Sequence, residues 1–208
     1  MTDKEKMIEL HLKGRGITDT AVLRAMEEVD RTQFVPDDMK AMAYQDSPLP
    51  IGRGQTISQP YIVAYMAQML DLEPTDNVLE IGSGCGYNAA VISRIVSHVY
   101  SIEIIEWLAK LARKNLKKSG ITNTTTVFGN GYKGWPEKAP FDKIILTAAA
   151  AYIPDTLKNQ LKTGGKILAP VNHNVQRLML LEKKADNLFE ESPLINVRFV
   201  PMTGEKEA

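Results

Sequence analysis

The segment Gly54-Gln55-Thr56-Ile57-Ser58-Gln59-Pro60 places two hydroxyl groups on a short stretch bounded by a glycine and a proline. A hydroxyl both donates and accepts hydrogen bonds, so such a stretch can orient a bound group. Further on, Leu79-Glu80-Ile81-Gly82-Ser83-Gly84-Cys85-Gly86 ends an apolar run in a glycine turn. Glycines let the backbone approach a ligand closely and take turn angles that a Cβ opposes. Glu103, 21 residues beyond Gly82, ends the next apolar run, where a carboxylate can accept from ribose hydroxyls. The spacing is G-x-G-x-G, whereas the dinucleotide fingerprint is G-x-G-x-x-G, and with no Lys-Ser/Thr pair following, a P-loop is excluded. These residues point to a nucleotide-like ligand beside a hydroxyl-bearing loop.

Elements must position these groups. Thr18 or Asp19 can cap a helix carrying Val22, Met26 and Val29. Residues 44–60 hold Pro48, Pro50, Gly52, Gly54 and Pro60 and read as an ordered loop. Pro60 starts a helix to about Leu70, with Ile62, Met66 and Met69 on one side. Strands are expected at Asn77–Ile81, His98–Glu103, Thr124–Phe128, Lys143–Thr147, Lys166–Val171, Arg177–Glu182 and Val197–Met202. Helices are expected at Ala89–Val96, Ile105–Lys118 and residues 155–162. Repeated βα units imply a doubly wound, Rossmann-like α/β fold: a mostly parallel sheet covered on both faces, with an antiparallel addition at its end.

The 208 residues are read as a single domain, an N-terminal helical, substrate-side region (1–74) preceding a cofactor-binding α/β core with C-terminal strands (75–208). With 25 basic against 25 acidic residues, no global field favours nucleic acid or an anionic membrane. No apolar run reaches the roughly 18 residues of a spanning helix, and the charged N-terminus lacks the apolar core of a signal peptide. A lone cysteine, Cys85, excludes an intrachain disulfide framework and fits a reducing compartment. The expectation is a cytoplasmic monomer. His11, His98 and His173 lack metal-ligand spacing, so no metal is expected.

The glycine turn with Glu103 resembles the motif of class I S-adenosylmethionine-dependent methyltransferases, which implies a seven-stranded sheet with one antiparallel strand. Further blocks resemble one branch, the protein-L-isoaspartate O-methyltransferases: Ala43–Gly52, Gly54–Pro60, Gly131–Pro136, Ala139–Asp142, Thr147–Ala150, Gln160–Gly165 and Phe199–Pro201. The resemblance implies transfer of a methyl group from S-adenosylmethionine, leaving S-adenosylhomocysteine, to the α-carboxylate of L-isoaspartyl residues in damaged proteins and peptides. It carries Ser58 over as the active-site serine, with Thr56 as a second hydroxyl. On the cofactor side it carries over Gln55, Thr56, Ile57 and Ser58, Gly82, Ser83, Gly84, Cys85 and Gly86, Glu103 with Ile104, Asn130, Gly131 with Tyr132, and Thr203.

Two positions depart from the pattern. Asn130 stands where the family has an aspartate that accepts from the adenine amino group, so weaker cofactor binding is expected. Asn172 stands where glycine is common. These departures keep two alternatives open: a diverged methyltransferase acting on another small acid or amine, and a noncatalytic cofactor-binding module.

Overall fold

The computed structural model describes residues 1–172 and 174–204; His173 and residues 205–208 lie outside the described part. The chain opens with helix α1 (Asp3–Lys6), started by a capping box in which the Thr2 hydroxyl accepts from Glu5 N–H and the Glu5 carboxylate from Thr2 N–H. Wider and tighter turns carry it on to Arg15. Helix α2 (Thr20–Glu28) is capped by Asp19, whose carboxylate accepts from Ala21 and Val22 N–H at 2.8 and 3.1 Å. It buries Val22, Ala25 and Met26 against the rest of the N-terminal region.

Residues 44–60 are more regular than their breakers suggest. Strands β1 (Leu49–Gly52) and β2 (Gln55–Ile57) form an antiparallel hairpin. Gly52, Arg53 and Gly54 all have positive φ (95°, 56° and 70°), the geometry that a tight hairpin tip requires. Pro50 is tolerated because a two-stranded sheet consists only of edges. Helix α3 (Pro60–Leu70) begins on its proline and buries Pro60, Tyr61, Val63, Ala64, Met66, Ala67 and Leu70. Ile62 and Met69 are only partly buried, so the expected apolar side is rotated. The reason is tertiary: α3 packs both on the N-terminal helices and on the sheet.

Strands β3 (Asn77–Ile81), β4 (His98–Glu103), β5 (Thr124–Phe128), β6 (Phe141–Leu146), β7 (Leu161–Asn172), β8 (Gln176–Ala185) and β9 (Leu188–Asn196) form one sheet. Its order is β5-β4-β3-β6-β7-β8-β9. The pairs from β5 to β7 are parallel, and β8 runs antiparallel to both neighbours. The expected seven-stranded, mostly parallel sheet with one antiparallel strand is therefore borne out. One face packs Val78, Val99, Ile145 and Leu168 against α3, α4 (Tyr87–Ser93) and α5 (Glu106–Lys118). The other packs Leu79, Ile81, Ile144 and Ile167 with Leu157 of the short helix α6 (Asp155–Asn159).

The last strand was misplaced by its composition. Val197–Met202 is apolar and β-branched, yet the paired strand is Leu188–Asn196, which contains Glu190, Glu191, Ser192 and Pro193. A sheet-edge strand tolerates charge and proline because one of its edges faces solvent. The apolar segment after it instead crosses the strand ends. There Ala149 N–H donates to Val200 O at 2.8 Å and Met202 N–H to Ala149 O at 2.7 Å.

Candidate active site

The sheet order turns around at β3, whose neighbours are β4 and β6. In doubly wound sheets a crevice opens beyond the strand ends at such a point. A cleft of about 830 Å³ lies there, lined by the residues following β3, β4, β5 and β6, by the β2 hairpin strand and by residues 200–203. Thr147, after β6, fastens the turn: its N–H donates to Ile81 O at 3.0 Å and its hydroxyl to Gly82 O at 2.5 Å. Gly82 has φ 101°, and a Cβ there would collide with the Thr147 hydroxyl, so the residue must be glycine.

The Glu103 carboxylate accepts from Gly84 N–H at 2.8 Å and from Ile105 N–H at 3.0 Å. Each oxygen thus keeps acceptor capacity for a further donor such as a ribose hydroxyl. Behind the turn, Glu80 is fully buried, accepting from Asn88 Nδ2 at 2.9 Å and from the Ser101 hydroxyl. Ser101 in turn shares a 2.5 Å hydrogen bond with Ser83. Burial pushes the Glu80 carboxyl up to about 7; the Glu103 charge adds to the rise, while the Ser101 and Asn88 hydrogen bonds oppose it.

Most of the residues expected at the site meet here. Gln55, Thr56, Ile57, Ser58, Gly82, Ser83, Gly84, Cys85, Glu103, Ile104, Gly131 and Thr203 all line the cleft. Three others do not. Gly86 lies against Ala112 and Leu116 of α5. Asn130 caps a tight turn, its Oδ1 accepting from Tyr132 N–H at 3.1 Å. Tyr132 is buried beneath the crossing segment. Cys85 is a packing residue with its thiol pushed up to about 11 by burial. Among the described residues, no group of three or more His, Cys, Asp or Glu is placed to hold a metal ion.

Ser58 joins β2 to α3 without acting as a cap: the N-cap position of α3 is Gln59, and no side chain bonds there. Among the described residues the Ser58 hydroxyl has no hydrogen-bond partner, so it remains available to a ligand. The hairpin leans over the glycine turn, where a Cβ at Gly84 would sit 3.4 Å from Ile51 Cδ1. Its tip rests on α5, with the Arg53 guanidinium 5.6 Å from the Trp107 ring centre.

Several lining or supporting residues escaped the sequence reading. Tyr87, Asn88 and Met202 line the cleft without a local signature of their own, and Thr147 and Ala148 line it from the block Thr147–Ala150, to which the sequence reading assigns no site role. Arg31 sits in what looks like an ordinary charged run, Glu27-Glu28-Val29-Asp30-Arg31, yet it is fully buried. It donates through Nε to Ala43 O at 2.7 Å and through Nη2 to Ser58 O at 2.8 Å.

A parallel sheet with a G-x-G-x-G turn after its first strand, an acidic group ending the second and a cleft at the switch point defines a class I S-adenosylmethionine-dependent methyltransferase. The bare glycine backbone and the free acceptor positions of Glu103 fit an adenosyl cofactor. The profile of the protein-L-isoaspartate(D-aspartate) O-methyltransferase family matches residues 2–207, and this chain belongs to that family. It is 49% identical over 203 residues to protein-L-isoaspartate O-methyltransferase 2 of Pelobacter propionicus, covering 97% of this chain and 90% of the relative. A solved protein-L-isoaspartate O-methyltransferase superposes with a TM-score of 0.89 at 33% identity, covering 97% of this chain and 66% of that one. A Plasmodium falciparum structure in complex with S-adenosyl-L-homocysteine superposes with a TM-score of 0.86 at 26% identity, over 98% of this chain and 99% of that one.

Proposed function

We propose that this protein transfers a methyl group from S-adenosylmethionine to the α-carboxylate of L-isoaspartyl residues in damaged proteins and peptides. When bound, the cofactor supplies a methyl group already activated on a sulfonium, and a carboxylate is already a competent oxygen nucleophile. Neither a metal nor a strong base is needed. What the chain contributes is placement, which can lower a barrier by roughly 7–11 kcal/mol.

The observation that carries this reading is Ser58: a neutral hydroxyl without an intramolecular partner among the described residues, lining the same cleft as the glycine turn and Glu103. In this reading Ser58 orients the acceptor carboxylate, and Thr56 lies beside it. Glu103 holds the ribose, while the backbone of Gly82–Gly84 lies along the cofactor. Ile57, Ile81, Ile102 and Leu108 supply apolar walls that keep water from the transfer. Residues 1–74 form the acceptor side and residues 75–208 the cofactor side of one domain.

Among the described residues no helix is long and apolar enough to cross a membrane. The balanced charge and the buried lone cysteine support action in a reducing compartment such as the cytoplasm, as a monomer and without nucleic acid. Incubation with labelled cofactor and matched isoaspartyl and aspartyl peptides tests the activity. Label should enter the isoaspartyl peptide alone; equal labelling of both, or of neither, rejects the proposal.

A further inference from the structure

We infer that Arg31 is a positioning residue for methyl transfer, acting through Ser58; the inference rests on the role given to Ser58 above. The guanidinium is fully buried and donates to the carbonyls of Ala43 and Ser58 at 2.7 and 2.8 Å. Those carbonyls lie on either side of the hairpin Leu49–Ile57, one in the segment entering it and one just beyond its exit. One rigid fork therefore fixes both ends of the element that carries Ser58 and covers the glycine turn. Its face lies 4.7 Å from the Tyr87 ring centre, and Tyr87 lines the cleft.

This is a demanding way to hold two carbonyls. A buried cation loses several kcal/mol of hydration, normally offset by a carboxylate. Among the described residues the main interactions of Arg31 include no carboxylate: beyond the two carbonyls they are with Tyr87, Cys85 and Tyr44. The neighbouring Asp30 is occupied elsewhere, accepting from Thr32, Gln33 and the Tyr44 hydroxyl. Asp30 thus pins Tyr44 while Arg31 pins Ala43, so adjacent residues anchor the approach to the hairpin. A guanidinium suits the task because its donors are planar and preorganised, whereas an ammonium on a flexible stem reaches one carbonyl without fixing the angle between two.

If Arg31 acts through Ser58, removing the Ser58 hydroxyl makes the position of its backbone irrelevant to turnover. A double-mutant cycle reads this directly. Turnover of an isoaspartyl peptide at saturating cofactor is measured for the wild type, Arg31→Lys, Ser58→Ala and the double variant. Far-UV circular dichroism and S-adenosyl-L-homocysteine binding serve as checks of the fold.

Arg31→Lys should lower kcat roughly 10- to 100-fold, the scale of a misplacement of about 1 Å, with cofactor affinity changed less than about threefold. In the Ser58→Ala background it should lower kcat little further. Additive losses, or a wild-type kcat for Arg31→Lys, overturn the inference while leaving Ser58 its role. A neutral Ser58→Ala rejects the role of Ser58, and with it the inference. If Arg31→Lys does not fold, Arg31→Met takes its place in the cycle; loss of fold in both assigns Arg31 to folding alone and also overturns it.

Discussion

Glu103 holds Gly84 from the end of the neighbouring strand, its Oε2 accepting from the Gly84 N–H at 2.8 Å. Because Oε1 simultaneously takes the Ile105 N–H at 3.0 Å, the carboxylate locks the glycine turn to the start of α5. The group assigned to the ribose is thus also the group that shapes the floor beneath it. Glu103→Gln keeps one acceptor oxygen and turns an amide donor towards a backbone donor. Affinity for S-adenosyl-L-homocysteine, measured by calorimetry, should weaken roughly 10- to 100-fold, the scale of an unsatisfied buried donor. Unchanged affinity would leave Glu103 a turn-stabilising residue only.

Ser58→Ala removes a hydroxyl that caps nothing and has no partner within the described fold. Turnover of an isoaspartyl peptide should drop roughly 10- to 100-fold, the scale of lost positioning. The dissociation constant for S-adenosyl-L-homocysteine should stay within about threefold. Steady-state kinetics beside calorimetry separate the two, and a larger loss of affinity than of turnover would place the hydroxyl on the cofactor instead.

Buried Glu80 gives a stability signature in pH. Its carboxyl is raised from 4.5 to about 7, so the folded state holds the proton more tightly than the unfolded chain. The resulting stabilisation is complete below about 4.5 and is lost as pH rises through about 7. Glu80→Gln carries no such proton. Its stability relative to wild type should therefore improve between pH 5 and pH 8, by an amount on the order of 3 kcal/mol. Denaturant titrations at both pH values check this, and a difference independent of pH would contradict it.

Asn130→Asp tests whether position 130 reaches the cofactor from its turn. A carboxylate can keep the acceptor role towards Tyr132 N–H and adds charge-assisted strength towards an amino group. The fold should persist and S-adenosyl-L-homocysteine should bind several-fold more tightly. Equal affinity would mean that position 130 serves its turn and not the ligand.

Much of this architecture is local enough to read from sequence. Asn77–Ile81, His98–Glu103 and Thr124–Phe128 form strands with the expected bounds because their apolar and β-branched runs have breaks at both ends. The glycine turn and Glu103 follow from strand context. The hairpin was hidden because Pro50, Gly52 and Gly54 count as breakers in any window, although a two-stranded element with a positive-φ tip accommodates them. Val197–Met202 misled for the opposite reason: its apolar side chains serve a crossing segment over the cleft, while the polar Leu188–Asn196 pairs at the sheet edge. Arg31 could not be found locally at all. Its carbonyl partners are 12 and 27 residues away, and nothing in a charged run distinguishes a buried guanidinium from a solvated one.

The crossing segment has a consequence for how the protein is made. Val200, Pro201, Met202 and Thr203 close one side of the cleft, and they follow every other residue that lines it. During synthesis the glycine turn, Glu103 and Ser58 leave the ribosome well before that wall does. A nascent chain can therefore pair its first parallel strands early, but its cofactor pocket stays one-sided until residues 200–203 have emerged.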